Sequence, residues 1–180
     1  MVEPQIVSVR DFTTSRYGQI ADNLDAPLGD VLARAEAAVQ SYLGRSLLPT
    51  QYTEIGRPSA TVIFTKHRPI LSVTSLRQRA SILSTWSTLD PLYITFEAGP
   101  GYINHPYMTE GTFVEIVYTA GFDPLPEDLR EAIIMQAVLL SFQDLEVYGS
   151  GDAKAPGILY MWDDLYRLLK PYKLNPTVYK

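Results

Sequence analysis

Residues Phe113 to Leu140 read FVEIVYTAGFDPLPEDLREAIIMQAVLL, which is a strand, a turn and a long apolar helix in direct succession. Phe113, Val114, Ile116, Val117 and Tyr118 are β-branched or aromatic, the types that suit a pleated surface. Gly121 frees the backbone to turn, and Asp123-Pro124 keeps it extended or turning. Pro126 fits a first helical turn, where a missing N–H costs nothing, and Glu127 and Asp128 face the positive helix end. From Ile133 to Phe142 the helix has almost no polar face. In a chain of 180 residues such a helix must be covered on more than one side.

Working outward, Asp25 to Leu43 has the spacing of an amphipathic helix. Leu28, Val31, Leu32, Ala35, Ala38, Val39, Tyr42 and Leu43 form its stripe, with Asp30, Arg34, Gln40 and Ser41 away from it. Asp25 is the expected N-cap, Pro27 falls in the first turn and Gly44 ends the helix. The earlier residues carry little periodicity. Gln5 to Val9 reads as a short strand, with turns at Thr13-Thr14-Ser15 and Asp22-Asn23.

Between the two helices the pattern changes to strands. Gln51 to Ile55, Ala60 to Thr65 and Ile70 to Leu76 are short and rich in Thr, Val and Ile, and turn residues separate them. Residues 77–111 read as an antiparallel excursion with candidate strands at Leu92 to Phe96 and Tyr102-Ile103. After a Gly-Ser-rich hinge around Gly149 to Asp152, a helix is expected from Ile158 to Lys170, stopped at Pro171. Its stripe is Ile158, Met161, Trp162, Leu165, Leu168 and Leu169. The expected fold class is therefore α+β, with an antiparallel helical core, a projecting antiparallel hairpin or sheet region and extended terminal arms. Its divisions are an arm (1–24), a core (25–145) and a C-terminal helix and tail (146–180).

Composition limits the function classes. The chain is 46% hydrophobic, enough for a substantial core, and thirteen prolines with eleven glycines point to many turns. Fifteen basic against 20 acidic residues give a net charge of -5, which argues against a nucleic-acid binder with a broad basic face. The lack of cysteine excludes disulfides and thiolate chemistry. Apolar runs fall short of the roughly 20 residues a membrane span requires, and the start lacks the layout of a secretion signal. A soluble, intracellular protein without membrane contact is expected.

No motif calls for catalysis. Gly99-Pro100-Gly101 lacks the helix and the Lys-Ser/Thr pair of a phosphate loop. His67 and His105 each lie within two residues of a proline in a turn and read as solvated turn residues. Glu127, Asp128 and Glu131 are explained by helix-start electrostatics. Asp163 and Asp164, adjacent on a helix, diverge, so neither a metal nor another cofactor is expected. Trp86 and the twelve tyrosines could form a sugar platform, but Trp162 falls on a helical stripe. The cluster Lys66, Arg68, Arg77 and Arg79 reads as a solvated turn or as one side of a charged contact.

The order of elements carries a resemblance. The pieces are LARAEAAVQSYLGRSLLP (Leu32 to Pro49), Tyr52-Thr53-Glu54, the strand start Arg68-Pro69-Ile70-Leu71-Ser72-Val73, and VYTAGFDPLPEDLREAIIMQAVLL (Val117 to Leu140). In this order, over about residues 25–76 and 112–143, the chain resembles the adaptor, or head–tail connector, proteins of tailed bacteriophages. The resemblance implies a non-enzymatic structural protein of the virion neck, made in the host cytoplasm. Such proteins form a ring, commonly of twelve copies, beneath the portal protein. The ring extends a channel through which DNA passes without sequence-specific binding, and it meets the next neck or tail protein. Ile134, Met135, Val138, Leu139 and Phe142 are then the expected core or oligomer contact. Trp162, Leu165, Tyr166, Leu169, Tyr172 and Tyr179 are the expected portal-docking residues. The alternatives are another neck component (a head-completion stopper or tail terminator) and, more remotely, a carbohydrate-binding module using Trp86.

Overall fold

A computed structural model describes residues 6–19, 27–148 and 156–173. Among these residues the fold is α+β, with four α-helices and two antiparallel sheets, in two compact units. The helical unit combines residues 1–44 with 125–180, and the β unit is residues 45–124.

The helical unit contains α1 (Val9–Thr14), α2 (Leu28–Leu43), α3 (Glu127–Tyr148) and α4 (Pro156–Leu169), followed by a 3-10 turn at Lys170–Tyr172. The strand expected at Gln5 to Val9 is corrected. Val9 instead opens α1, because Ser8 and Asp11 cap it reciprocally, each side chain accepting the other's backbone N–H. Asp25 lies outside the described residues, and the N-cap of α2 is Pro27, which offers no side-chain bond. The Pro27 carbonyl accepts from Asp30 and Val31, and the Pro126 carbonyl accepts in the same way from Leu129 and Arg130. Both long helices thus start on the carbonyl of a proline, whose fixed φ suits a helix entry. At its other end α2 stops at Gly44 in the left-handed region, φ 71°.

α3 packs against both α2 and α4. On α2 the buried stripe is Val31, Leu32, Ala35, Val39 and Leu43, as its spacing requires. On α4, Leu165 and Leu169 are buried. Every described α3 side chain from Ala132 to Leu139 is buried, Gln136 included. An apolar helix lying between two others resolves its missing polar face within one chain. Each fully buried Leu, Ile or Val contributes about 1.5–3 kcal/mol as an upper estimate.

The β unit holds seven strands: β1 (Thr50–Gly56), β2 (Val62–Phe64), β3 (Ile70–Arg79), β4 (Ser87–Thr88), β5 (Thr95–Glu97), β6 (Tyr102–Asn104) and β7 (Phe113–Ala120). One sheet has the order β1-β7-β3-β4 and the other β2-β6-β5. Leu92 and Tyr93 fall in a 3-10 turn, so the strand expected from Leu92 begins only at Thr95. Residues 77–111 supply β4, β5 and β6, and so help build both sheets. β7 alternates strictly, with Val114, Ile116, Tyr118 and Ala120 buried. These side chains meet Ile63 of β2 and Ile103 of β6 in one core, with Ile70 and Leu76 from β3. The two sheets therefore face each other across it.

At the end of β7, Gly121 has φ 142°, and a Cβ there would lie 2.5 Å from the Leu48 carbonyl oxygen. Only glycine fits a backbone that passes so close.

Candidate functional site

Three surfaces carry the residues that chemistry or recognition would use. On the helical unit, Tyr166 of α4 lies 5.4 Å from the Tyr42 ring and 6.1 Å from Trp162 between centroids. The Lys173 ammonium sits 4.3 Å over Tyr42. Tyr166 is 46% exposed, while Trp162 and Tyr42 are half-buried. The i, i+4 spacing of Trp162 and Tyr166 puts them on one strip of α4, and Tyr42 in the last turn of α2 adjoins it. Aromatics with apolar bodies and polar tips in this setting are typical of protein contacts. Tyr172 is half-buried, and desolvation, then the Asp128 carboxylate beside it, raises its phenol above the usual range.

Six residues were expected at this surface. Trp162, Tyr166 and Tyr172 have accessible area, but Leu165 and Leu169 are core residues, 2% exposed each. Tyr179 lies outside the described residues. Tyr42 and Lys173 join the cluster unannounced by the spacing of α4, since Tyr42 reads as one more apolar position of α2. Of the oligomer or core set, Ile134, Met135, Val138 and Leu139 are 7, 1, 0 and 1% exposed within a single chain. They line the interior of the helical unit. The Phe142 side chain lies outside the described residues.

The second surface is a cleft of about 370 Å³ lined by Asp11, Arg16, Tyr17, Arg130, Glu131 and Ile134 among others. Its carboxylates are engaged by arginines: Arg16 bonds Glu131 at 2.5 Å, and Arg130 lies 3.6 Å from Asp11 and 3.5 Å from Glu127. Hydrogen bonds from Ser8 first, then the charge of Arg130, hold the Asp11 carboxyl below its usual value. Burial raises the Tyr17 phenol. Acids neutralised in this way support a helix start and leave no free carboxylate pair aimed into the cleft. Among the described residues no group of three or more His, Asp or Glu side chains could hold a metal ion.

The third surface belongs to the β unit. Arg79 lies 4.3 Å over the Trp86 ring and 5.7 Å from Phe113, while Arg57 lies 4.6 Å over the other exposed end of this row, on Phe113. Arg77 is 5.7 Å from Trp86 and ion-pairs with Glu115, its Nε donating at 3.0 Å. A guanidinium thus lies over a face of the indole on which a sugar would otherwise stack. The four cations expected to cluster separate: Arg77 and Arg79 join this row, whereas Arg68 donates to the Pro100 carbonyl.

Neither histidine is a solvated turn residue. His105 is fully buried; its Nδ1 accepts from the Tyr107 N–H at 3.2 Å. This makes Nε2 the protonated nitrogen, which donates to the Asp90 carbonyl at 3.0 Å. The imidazole ties the loop before β5 to the loop after β6. His67 stacks on Tyr52 with 3.7 Å between ring centroids, and burial holds its pKa below the usual value. Its N–H donates to the Tyr118 hydroxyl, which donates in turn to Glu54 in a short bond. The nearby proline that marks each as a turn residue contains no information about this long-range burial.

No protein-family model matches the chain, and no curated protein matches it. Solved structures do match. The chain is similar to one from the neck of a native gene transfer agent particle computed with C12 symmetry, with TM-score 0.58 and 21% identity over 100% of this chain and 99% of that one. It is similar to a chain from the neck of an empty gene transfer agent particle computed with C6 symmetry, with TM-score 0.57, 18% identity and the same coverage. A chain from the virion of the native particle gives TM-score 0.56 and 18% identity, again over 100% and 99%. Sequence identities this low establish a shared fold along the whole length.

Proposed function

We infer that this protein is a structural component of the neck of a tailed, phage-like particle. In this reading it is an adaptor whose copies form a ring under the portal, extending the DNA channel toward the next neck or tail component. The observation that carries it is the end-to-end fold similarity to a neck chain computed with C12 symmetry. The element order read from Leu32 to Leu140 supports it independently. An acidic chain suits a passage through which DNA slides without being retained. No chemistry and no cofactor is assigned to the chain, whose work is assembly.

In this reading the portal meets Trp162, Tyr166 and Tyr172, with Tyr42 and Lys173 beside them. The interior positions Ile134, Met135, Val138 and Leu139 shape this surface from beneath. Removing the C-terminal segment would uncover α3, so point changes test the contact better than truncation. Trp162→Ala with Tyr166→Ala should leave the chain folded and abolish its co-sedimentation with purified portal rings. Unchanged co-sedimentation of the double variant would assign the portal contact elsewhere.

A further inference from the structure

The outward face of the four-stranded sheet carries positive charge that, among the described residues, ion pairs compensate only at Arg77. By register, Arg77 pairs with Glu115 and Arg79 with Phe113, opposite the core side chains Val114 and Ile116. Ile55 sits across from Glu115 on the same face and is 56% exposed. The guanidinium carbons of Arg57 and Arg79 lie 4.6 Å over Phe113 and 4.3 Å over Trp86, which holds both cations at this face. Arg79 uses one N–H on the Ile82 carbonyl at 3.1 Å, and exposed Arg57 donates to no described group. Glu115 is the one carboxylate of this row, and it is taken by Arg77. Beside the row the connection from β3 to β4 exposes Ile82 and Leu83, the latter 96%. Arginine, aromatic rings and exposed aliphatics together have the composition of a protein interface.

We propose that this arginine–aromatic row is the contact surface for a second copy of the chain, whose surplus carboxylates it receives. The inference rests on the ring reading above and names the surfaces that close the ring. The complement lies in the same β unit: Glu97, Glu110 and Asp123 are exposed and form no ion pair among the described residues. A basic row on one copy that receives separate carboxylates of the next makes a heterologous contact, the type that closes into a ring. A chain with net charge -5 has such carboxylates to spare, whereas the same charge opposes a nucleic-acid duplex at this face.

Mass photometry of the full chain against concentration and salt tests the proposal, with thermal melts to check folding. Wild type should assemble, and salt near 0.5 M should weaken it, because Debye screening is then short. Arg57→Glu should raise the subunit dissociation constant about 30-fold or more, with an unchanged melt. Arg79→Glu should do the same, and because Arg57 is exposed, the first variant stays informative if the second folds poorly. A chain carrying Glu97→Arg and Glu110→Arg should also fail alone, but should assemble when mixed with Arg57→Glu, since alternating copies restore every contact. Arg57→Glu and Arg79→Glu rings as stable as wild type would overturn the proposal while leaving the ring reading intact. Wild type that stays single at every concentration would overturn both. Binding of a short DNA duplex that is lost in Arg57→Glu, with assembly unaffected, would reassign the row to phosphodiesters.

Discussion

The carboxylate of Glu36, buried in α2, accepts the backbone N–H of Val7 at 2.9 Å and so joins positions 29 residues apart. This bond helps tie the segment ahead of α1 to the second helix. Burial raises the Glu36 carboxyl above its usual value, and the Val7 and Ile6 N–H groups oppose that rise less strongly. A raised folded-state value means the folded chain binds this proton more tightly than the unfolded one. The associated stability is complete below the unfolded value near 4.5 and is lost as pH rises through the folded value. Glu36→Gln keeps an acceptor for Val7 and removes the titration. Melting curves of both chains from pH 7 to pH 4 should show wild type gaining relative to the variant on acidification. A constant difference would remove Glu36 from the account.

Tyr118 holds a second long-range link, since its hydroxyl accepts from His67 and donates to Glu54 inside the β unit. Tyr118→Phe keeps the ring that fills the core but strands the backbone N–H of His67 and takes one donor from Glu54, which keeps the Lys66 N–H. The expected loss is about 1–3 kcal/mol, the cost of leaving buried polar groups unpaired. Urea titration followed by near-ultraviolet circular dichroism measures it, and a loss below about 0.5 kcal/mol would show that water replaces the hydroxyl.

Gly44 and Gly121 both have positive φ, for different reasons. A methyl at Gly44 meets nothing within 4 Å, so Gly44→Ala should cost only left-handed strain, about 1–2 kcal/mol. At Gly121 the methyl would strike the Leu48 carbonyl and Pro49 backbone, which cannot rotate away. Gly121→Ala should therefore lower the melting temperature well beyond Gly44→Ala. Equal shifts would contradict the close approach of the two segments.

Leu139 and Tyr166 separate stability from recognition. Leu139→Asp buries an unpaired charge, a mechanism that reaches losses above about 4 kcal/mol, and should give an unfolded or aggregated chain. Tyr166→Ala removes a half-exposed ring contact and should cost about 1 kcal/mol or less. Soluble expression and thermal melts distinguish them; a well-folded Leu139→Asp chain would mean α3 is not the interior helix.

Much of this architecture is legible wherever a period is long enough to register. The stripe of α2, the alternation of β7 and the turn at Gly121 all appear in the order the residues dictate. What is hidden depends on partners far away in the chain. Three-residue strands such as β2 and β6 carry no period of their own, so the second sheet exists only through its pairing. His105 reads as a solvated turn residue until Asp90 and Tyr107 are placed beside it, and nothing local to Glu36 announces its bond to Val7. The helix at Val9 had a local signal, Ser8 and Asp11 at capping-box spacing, with Asp where Glu or Gln is usual. The arginine row could not be seen because Arg57, Arg79, Trp86 and Phe113 come from four separate segments, brought together by strand register. Aromatic stripes, by contrast, mislead in a definite way: Leu165 and Leu169 share the spacing of Trp162 and Tyr166 yet lie on the buried side.

The neck assignment is tested most directly by a reconstruction of the neck of purified particles that contain this chain. The account predicts a ring of copies with this two-unit fold, next to the portal and encircling the DNA path, with twelve-fold symmetry. Particles whose neck density has no place for the fold, or a chain found in the tail or capsid shell instead, would contradict it.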